Sequence, residues 1–254
     1  MSSLTGKTVW LVGASEGIGA ALAAKLAPMC GHLILSARSE EKLRHVASGL
    51  AANASIVALD VTRMETVTNA WAQIQQSGRS PDVVIYNAGT YVPMAATQFD
   101  LANAEHMIDV NLHGALRVLS VALPFFVERN LGHIVLVASV AGYRGLPGAI
   151  GYGASKAALI HLAENLKADL GQTGIKVQVI NPGFVETRLT ALNDFPMPCI
   201  ITPDKAAEYI LYGLEKNMFE IHFPKRFSCL LKFFSLLPDR IYFSLLHKRV
   251  RSRD

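Results

Sequence analysis

An apolar run that leads into a glycine-rich turn decides the fold of this chain: TVWLVGASEGIG, residues 8–19. The run predicts a buried strand, and the Ala-rich stretch after the turn predicts a helix. Gly13, Gly17 and Gly19 let the backbone come close to a ligand at the start of that helix, where a pyrophosphate is favoured. A tight strand-to-helix turn would show the same G-x-x-x-G-x-G spacing, but the position after the first strand favours a dinucleotide site.

The rest of the chain repeats this alternation of strand and helix. Apolar runs predict strands at Thr8–Val12, Leu33–Ala37, Ser55–Leu59, Val83–Tyr86, His133–Ala138 and Lys176–Ile180. Longer segments predict helices at Gly17–Met29, Ser39–Leu50, Arg63–Ser77, Ala102–Glu128 and Tyr152–Gly171. The repeat predicts an α/β fold in which a doubly wound, Rossmann-type parallel sheet lies between two layers of helices. We expect the regular alternation to end near residue 190.

Three helix starts carry capping signals. Ser39 is expected to cap the second helix, ahead of two glutamates that suit the positive end of a helix. Thr62 and Glu65 have the spacing of a capping box at the start of the third helix. Thr202 followed by Pro203 predicts the start of one more helix.

The end of the second strand indicates which dinucleotide binds. An NAD enzyme places an Asp or Glu there to accept from the ribose 2′-hydroxyl, whereas this segment reads LSARS, residues 35–39, with no acid before Glu40. Arg38 can pair with a 2′-phosphate and Ser39 can donate to it. An arginine on a solvated surface would give the same pattern, but the missing acid favours NADP(H) over NAD(H).

Tyr152 and Lys156 are four residues apart on a predicted helix, so both side chains project from one face. A tyrosine with an ordinary pKa of about 10 is a poor acid–base group at neutral pH. A lysine cation one turn away is expected to lower that pKa, so that Tyr152 can exchange a proton with a substrate oxygen. Ser139, just past a predicted strand, can hydrogen-bond the same oxygen. Two exposed helix residues would also give the Tyr–Lys spacing, which is common when it occurs alone.

Taken together, these features resemble the short-chain dehydrogenase/reductase family over roughly residues 5–190. The motifs occur in the family's order: Gly13-x-x-x-Gly17-x-Gly19, Asn87-Ala88-Gly89, Asn111, Ser139, Tyr152-x-x-x-Lys156 and Pro182-Gly183. Val12, before the first glycine, departs slightly from the family's pattern, which commonly has Thr at this position. A role that depends only on the main chain of this residue is not affected by the change. The resemblance implies an NAD(P)-dependent oxidoreductase that acts on CH–OH and C=O groups.

The resemblance also implies a role for each matched residue. Asn111, Ser139, Tyr152 and Lys156 would be the catalytic set, in which Asn111 holds the active-site backbone and a proton-relay water. Tyr152 and Lys156 would also contact the dinucleotide, together with Gly13, Ser15, Gly17, Ile18, Gly19, Arg38, Ser39, Asp60, Val61, Asn87, Ala88, Gly89, Pro182, Gly183, Val185 and Thr187. Segment 188–201 would be the substrate lid. Its apolar residues favour an apolar substrate, although the lid's own packing explains them almost as well.

Composition limits the other function classes. The chain has 254 residues, of which 51% are hydrophobic, and three cysteines without metal-ligand or disulfide spacing. These cysteines indicate a reducing compartment. With no signal peptide and no apolar stretch of about 18 residues, we expect a cytoplasmic protein. No metal is expected, because the sequence shows no ligand cluster and the dinucleotide itself carries the hydride.

The tail, residues 225–254, differs from the rest of the chain. Its eight Lys and Arg against two Asp give it a net charge of +6, whereas the whole chain has a net charge of +4. Two apolar and basic helices are predicted, Phe227–Leu237 and Arg240–Val250, separated by Pro238. A subunit interface, an extra layer on the substrate pocket and peripheral membrane contact remain open for this segment. Nucleic acid is not expected, because the aromatic residues lie among leucines.

These patterns predict one catalytic domain over residues 1–224, including the lid, and a helical extension over residues 225–254. The predicted reaction is NADPH-dependent reduction of a hydrophobic, lipid-like ketone or aldehyde, and we expect a homo-oligomer, either a dimer or a tetramer. One alternative is oxidation of a hydrophobic secondary alcohol. Another is a dinucleotide-binding regulatory protein without turnover, but a pure binder would not need the full catalytic set.

Overall fold

Seven parallel strands form one sheet within the residues that the structure, a computed structural model, describes: 4–50 and 53–251. They are β1 (Thr8–Val12), β2 (His32–Ser36), β3 (Ala54–Ile56), β4 (Val83–Tyr86), β5 (Gly132–Val137), β6 (Ile175–Pro182) and β7 (Glu220–Phe223). Their order is β3-β2-β1-β4-β5-β6-β7, and every neighbouring pair is parallel. The doubly wound α/β fold predicted from the sequence is therefore confirmed.

Alternate residues of each strand face opposite layers of helices. Trp10 and Val12 of β1 belong to the core on one side of the sheet, whereas Val9 and Leu11 belong to the core on the other. The α-helices that precede the tail are α1 (Gly17–Leu26), α2 (Glu40–Ser48), α3 (Met64–Gln76), α4 (Leu101–Ile108), α5 (Gly114–Arg129), α6 (Ile150–Asp169) and α7 (Pro203–Glu215). Helices α3, α5 and α6 contribute to the first core, and α1, α2 and α7 contribute to the second.

The site is positioned where the strand order reverses, between β1 and β4. A parallel sheet of this kind opens a crevice at the carboxyl ends of the two strands where the winding changes direction. Val12 at the end of β1 pairs with Tyr86 at the end of β4. The turns that begin at Gly13 and Asn87 consequently leave the sheet side by side, and the Asn87 N–H donates to the Val12 carbonyl over 2.8 Å.

The alternation of helix and strand continues beyond residue 190, so the expectation that it ends there is wrong. Thr202 caps α7 by accepting from the Lys205 N–H over 3.3 Å, and α7 leads to β7, which pairs with β6. β7 has only four residues, and Glu220 and His222 alternate with buried neighbours. An edge strand with one polar face lacks the continuous apolar run that marks an interior strand.

The predicted helix over Ala102–Glu128 is interrupted. A π-helical turn, Asp109–His113, separates α4 from α5. The apolar pattern continues through this turn, so the sequence does not reveal it.

By length and composition the combined helix Leu101–Arg129 is long and apolar enough to cross a membrane. A helix that packs into a protein core passes the same test, and Val118 and Phe126 are buried against the sheet here.

Two of the three predicted caps form. Ser39 accepts from the Lys42 N–H over 3.3 Å at the start of α2, and Thr202 caps α7 as described. The capping box predicted at Thr62 is wrong. Thr62 instead donates its N–H (2.9 Å) and its hydroxyl (2.8 Å) to Asp60 Oδ1, while Arg63 stands at the N-cap of α3 without a side-chain cap.

The tail forms two helices, α8 (Lys225–Ser235) and α9 (Asp239–Arg251), and one arginine anchors both. Arg144, in the loop between β5 and α6, donates to the carbonyls of Ser235 (3.1 Å) and Leu237 (2.5 Å) at the end of α8. It also pairs with Asp239, and its guanidinium carbon lies 4.0 Å from the centroid of the Tyr242 ring. The loop that connects Ser139 to Tyr152 is therefore held by the tail.

Arg144→Met should lower the free energy of unfolding by about 2–4 kcal/mol, because it leaves the carbonyls at the end of α8 and the Asp239 carboxylate without their donor. Urea unfolding measures this loss. Arg44→Met is the matched control, since its ion pair with Glu40 is exposed and should contribute less than about 1 kcal/mol. Equal losses in the two variants would contradict the anchoring role of Arg144.

Candidate active site

The turn after β1 approaches the turn after β4 so closely that side chains do not fit. Gly13 has φ +91°, and a Cβ atom there would overlap the backbone nitrogen of Ala88. Gly19 has no room for a Cβ because the Gly13 carbonyl occupies that position. Asn87 closes the contact by donating its side-chain N–H to the Gly13 carbonyl over 2.7 Å. This packing exposes the start of α1 to a cavity of ≈ 280 Å³.

Most of the predicted dinucleotide contacts line that one cavity. The sequence-predicted residues in its wall are Gly13, Ser15, Gly17, Ile18, Arg38, Ser39, Asp60, Val61, Asn87, Ala88, Gly89, Ser139, Tyr152, Lys156, Pro182, Gly183, Val185 and Thr187. Gly19 and Asn111 lie behind the wall: Gly19 packs against Gly13, and Asn111 is fully buried. A single elongated space therefore connects Arg38 at one end with Tyr152 at the other.

The end of the cavity beside β2 and β3 is rich in charge. Arg38, Ser39 and Lys42 line it, together with Asp60 from the segment after β3. Burial alone would raise the pKa of the Asp60 carboxyl. The two hydrogen bonds from Thr62 and the positive charges of Arg38 and Arg63 nevertheless hold that pKa below its ordinary value. Asp60 is therefore a carboxylate at neutral pH.

Asn111 connects the π-helical turn to the loop after Asn87-Ala88-Gly89. Its Oδ1 accepts from the Thr90 N–H over 2.7 Å, and its Nδ2 donates to the Thr90 carbonyl over 3.1 Å. Nδ2 also donates to Ser155 Oγ, 2.9 Å away on α6. The extra residue of a π turn changes the direction of the following side chains, and such turns are frequent at functional sites. Asn111 thus links the backbone after β4 to the helix that carries Tyr152 and Lys156.

The catalytic candidates lie close together near the end of β5 and the start of α6. Ser139 follows β5, and its side chain lies close enough to the Tyr152 hydroxyl to lower the pKa of that group. Lys156 is almost fully buried at 4% exposure; its Nζ donates to the Val137 carbonyl over 2.9 Å and lies 5.7 Å from the centroid of the Tyr152 ring. The predicted spacing therefore brings Ser139, Tyr152 and Lys156 together at one end of the cavity.

The pKa shifts at this site differ from the sequence-based expectation. Burial raises the pKa of Tyr152, and the Ser139 side chain offsets that shift only in part. Burial also lowers the pKa of Lys156 to about 7. The expectation that the lysine cation lowers the tyrosine pKa is wrong for this structure, because desolvation acts on both groups. Tyr152 is consequently a neutral phenol, ready to donate a proton, at neutral pH.

The segment after β6 closes the opposite wall of the cavity. The Gly183 N–H donates to the Phe223 carbonyl over 2.7 Å, and Val185 forms a bridge with Ile201 that joins both ends of the predicted lid. Arg188, Leu189 and Thr190 at the start of the lid also line the cavity. The start of segment 188–201 therefore lies against the cavity, and its role as a substrate lid stays a prediction.

A second tyrosine joins this segment to the catalytic one. Tyr91 donates its hydroxyl to Asn193 Oδ1 over 2.8 Å. The Tyr91 ring packs edge-to-face on the Tyr152 ring with 5.0 Å between the centroids. Phe184, which follows β6, packs on Phe195 of the predicted lid with 5.9 Å between the ring centroids, and on Phe227 of α8 with 5.4 Å between the centroids. Tyr91 is thus the aromatic neighbour of Tyr152, and the three phenylalanines form a second aromatic group.

Several of these residues were missed by reasoning from the sequence. Lys42 is one helical turn beyond Ser39, and that spacing was a usable signal for a second cation beside Arg38. Glu16 pairs with Lys42 (3.0 Å) and with Arg188 (2.9 Å), so it connects the glycine-rich turn to the lid. Tyr91 and Arg188 carry no motif, since their roles depend on contacts with distant parts of the chain.

The residues present fit a nicotinamide dinucleotide. The cavity has glycines where backbone must approach a pyrophosphate, cations at one end and a Ser–Tyr–Lys set at the other. A bound dinucleotide would supply or accept the hydride. The chain itself would hold the phosphates on the start of α1, orient the substrate oxygen between Ser139 and Tyr152, and move a proton at the Tyr152 hydroxyl.

Comparisons with known proteins agree with this geometry. The family model described as short chain dehydrogenase matches residues 7–194. An oxidoreductase of Myxococcus xanthus, described as uncharacterized, is 34% identical over 95% of this chain and 97% of its own length. An uncharacterized oxidoreductase of Staphylococcus aureus is also 34% identical, over 84% of this chain and 93% of its own length. The chain belongs to the short-chain dehydrogenase/reductase family.

Solved structures of other members show the same fold. A serine dehydrogenase complexed with NADP+ has a TM-score of 0.78 and 27% identity, over 85% of this chain and 94% of its own. A short-chain dehydrogenase from Sphingobium yanoikuyae in complex with NADPH has a TM-score of 0.78 and 26% identity, over 92% of this chain and 97% of its own. This short-chain dehydrogenase/reductase is therefore an NAD(P)-dependent oxidoreductase.

Lys156→Met should remove a pH dependence of stability. An unfolded lysine keeps its proton up to a pH of about 10, whereas folded Lys156 loses it near pH 7. Between these values the unfolded state binds more protons, so the free energy of unfolding should rise with pH by up to about 1.4 kcal/mol per unit in the wild type. Urea unfolding at several pH values from neutral to moderately alkaline measures this slope. Parallel profiles for wild type and variant would show that Lys156 keeps an ordinary pKa.

Tyr152→Phe should lower kcat by at least about a hundredfold for any carbonyl compound that the wild type reduces, because the ring stays and the transferable proton is lost. Its affinity for the dinucleotide should change little. Lys156→Ala should impair both turnover and dinucleotide binding. Steady-state kinetics and fluorescence titration separate the two effects, and near-normal turnover by Tyr152→Phe would disprove its role in proton transfer.

Proposed function

We propose that this enzyme uses NADPH to reduce a hydrophobic, lipid-like ketone or aldehyde, with Tyr152 as the proton donor. The observation that carries the proposal is a pair of cations near the end of β2, Arg38 in the segment after the strand and Lys42 on α2. Arg38 and Lys42 line the cavity at the point where an NAD enzyme would hold the 2′-hydroxyl with an acid. A 2′-phosphate would receive charge-assisted hydrogen bonds from these two side chains and from Ser39.

The similar solved structures support the same cofactor. The serine dehydrogenase and the Sphingobium enzyme are described with NADP+ and NADPH, respectively.

The protonation state of Tyr152 supports the direction of the reaction. Reduction of a carbonyl requires a proton for the developing alcohol oxygen, and burial keeps the Tyr152 hydroxyl protonated at neutral pH.

The aromatic surroundings of Tyr152 support an apolar substrate. Tyr91 packs on Tyr152, and Phe184, Phe195 and Phe227 form a second aromatic group that joins the segment after β6 to the predicted lid and to α8. Oxidation of a hydrophobic secondary alcohol uses the same groups in reverse and is the alternative reaction. A purely regulatory dinucleotide-binding protein is the less favoured alternative, because it would not require Ser139, Tyr152 and Lys156 to converge.

We place this reaction in the cytoplasm and in a homo-oligomer. The three cysteines are free, and two of them, Cys199 and Cys229, are exposed, which suits a reducing compartment. Leu116 and Val127 project from one side of α5, and Leu131 follows the end of that helix; all three are exposed. An apolar row of this kind suits contact with a second copy.

Arg38→Ala and Lys42→Ala should each weaken NADPH binding by about tenfold and leave NADH binding nearly unchanged, since only NADPH carries the 2′-phosphate. Wild type should bind NADPH more tightly than NADH. Fluorescence titration with both dinucleotides measures these affinities. Arg44→Ala is the control, because Arg44 lies on the same helix but pairs with Glu40 at the surface. Equal NADPH and NADH affinities in the wild type would reject the cofactor assignment.

A panel of carbonyl compounds that differ in chain length tests the substrate assignment. Oxidation of NADPH, followed by its absorbance, should be more efficient with long apolar ketones and aldehydes than with short polar ones. Each additional buried methylene group should raise kcat/KM by about fourfold until the pocket is filled. A preference for small charged carbonyls would exclude a lipid-like substrate while leaving the oxidoreductase assignment intact.

A further inference from the structure

The outer face of α8 is a row of side chains that no other part of the described chain covers. Six exposed residues lie on one side of this helix at 100° per residue: Lys225, Arg226, Cys229, Leu230, Phe233 and Leu236. Leu230, Phe233 and Leu236 are 49%, 60% and 83% exposed. Leu236 therefore contributes nearly its whole surface to solvent, although it is one of the most apolar residue types.

The other side of α8 is occupied by contacts within the protein. Phe227 packs on Phe184, and Ser228 is buried and hydrogen-bonds His222 over 2.8 Å. These contacts fix the orientation of α8, so its apolar outer face cannot turn inward. α9 has more exposed apolar residues at Ile241, Phe243 and Leu245. We call the exposed residues of 225–245 the outer face of the tail.

The charges that border the outer face are positive. Lys225 and Arg226 open α8, and Arg240 stands beside Ile241; within the described residues none of these three pairs with an acid. Asp239 is engaged by Arg144, and Lys232 pairs with Glu220. The available charge of this surface is therefore cationic, in keeping with the net +6 of residues 225–254.

This charge pattern distinguishes between a second copy and a lipid surface. A two-fold dimer would place the same patch against itself. The cations of both copies would then share one interface, with no free acid in the described part of this face to offset them. An anionic lipid surface satisfies both features, because its headgroups attract the cations and its interfacial region accepts the leucine and phenylalanine side chains.

We propose that the outer face of the tail docks on an anionic membrane surface. α8 then lies in the interface, with Leu230, Phe233 and Leu236 among the lipids and its inner side on the enzyme. Because Phe227 on that inner side contacts Phe184, docking places the lid side of the active site about one helix diameter, ~10 Å, from the lipid headgroups. This position suits an apolar substrate, but the docking itself does not depend on the proposed reaction.

Co-sedimentation of the full chain with vesicles tests the proposal. Vesicles of phosphatidylcholine alone and vesicles that also contain phosphatidylserine are compared at low and high salt. We expect binding to the anionic vesicles and a marked loss of binding at high salt, because salt screens the attraction between the cations and the headgroups.

Two double variants test the two features of the outer face separately. Phe233→Ser with Leu236→Ser should weaken binding by about tenfold or more, because two exposed apolar groups no longer enter the interface. Lys225→Glu with Arg226→Glu should weaken binding to anionic vesicles by about twentyfold or more. The matched controls change exposed residues outside the tail: Phe99→Ser with Leu101→Ser, and Lys167→Glu with Lys216→Glu. Circular dichroism and dinucleotide titration verify that each variant is folded.

Three outcomes would overturn the proposal. The first is no sedimentation of the wild type with anionic vesicles at low salt. The second is binding that the tail variants and their controls reduce equally. The third is light scattering that shows a dimer in wild type and a monomer in the Phe233 and Leu236 variant, with lipid binding unchanged; this would assign the face to a second copy.

Discussion

The close approach of the turns after β1 and β4 is the constraint on which the rest of the site depends. Gly13 has no space for a side chain beside Ala88, and Gly19 has none beside the Gly13 carbonyl. These two contacts place the start of α1 directly against the crevice at the strand-order reversal. Its unpaired N–H groups and positive helix end then face the space in which a pyrophosphate would lie. A larger residue at Gly13 or Gly19 would push the helix away and remove that anion site.

Asn111 extends this constraint from the dinucleotide end to the catalytic end. Its amide makes paired hydrogen bonds with the Thr90 main chain and a further one with Ser155. The loop after β4 is thus held on one side by Asn87, which bonds the Gly13 carbonyl, and on the other by Asn111. Since Ser155 lies next to Lys156 on α6, the positions of the glycine-rich turn and of the Ser–Tyr–Lys set are coupled through two buried or half-buried asparagines. The π turn supplies the extra residue that lets Asn111 reach both partners.

The sequence predicted those features that depend on neighbours along the chain. The first six strands, the glycine-rich turn and the Tyr152–Lys156 spacing each follow from local pattern, and all of them form. What could not be predicted depends on distant contacts. Tyr91 meets Asn193 across 102 residues, and Arg144 meets Leu237 across 93. β7 and the π turn were also not predicted. A short, half-exposed edge strand gives only a weak hydrophobic pattern, and one inserted helical residue leaves the periodicity of the surrounding helix almost unchanged.

The electrostatics of the catalytic end show why spacing alone was insufficient. Two groups at i and i+4 on an exposed helix would remain solvated, and the lysine would then act as a nearby cation. In this structure Lys156 is covered by the protein and donates to the Val137 carbonyl, so desolvation determines its protonation and that of Tyr152. Burial favours the uncharged form of both an acid and a base. A site with a neutral phenol at neutral pH can deliver a proton to a substrate oxygen. The burial of these two side chains, and not their spacing alone, therefore determines their protonation states.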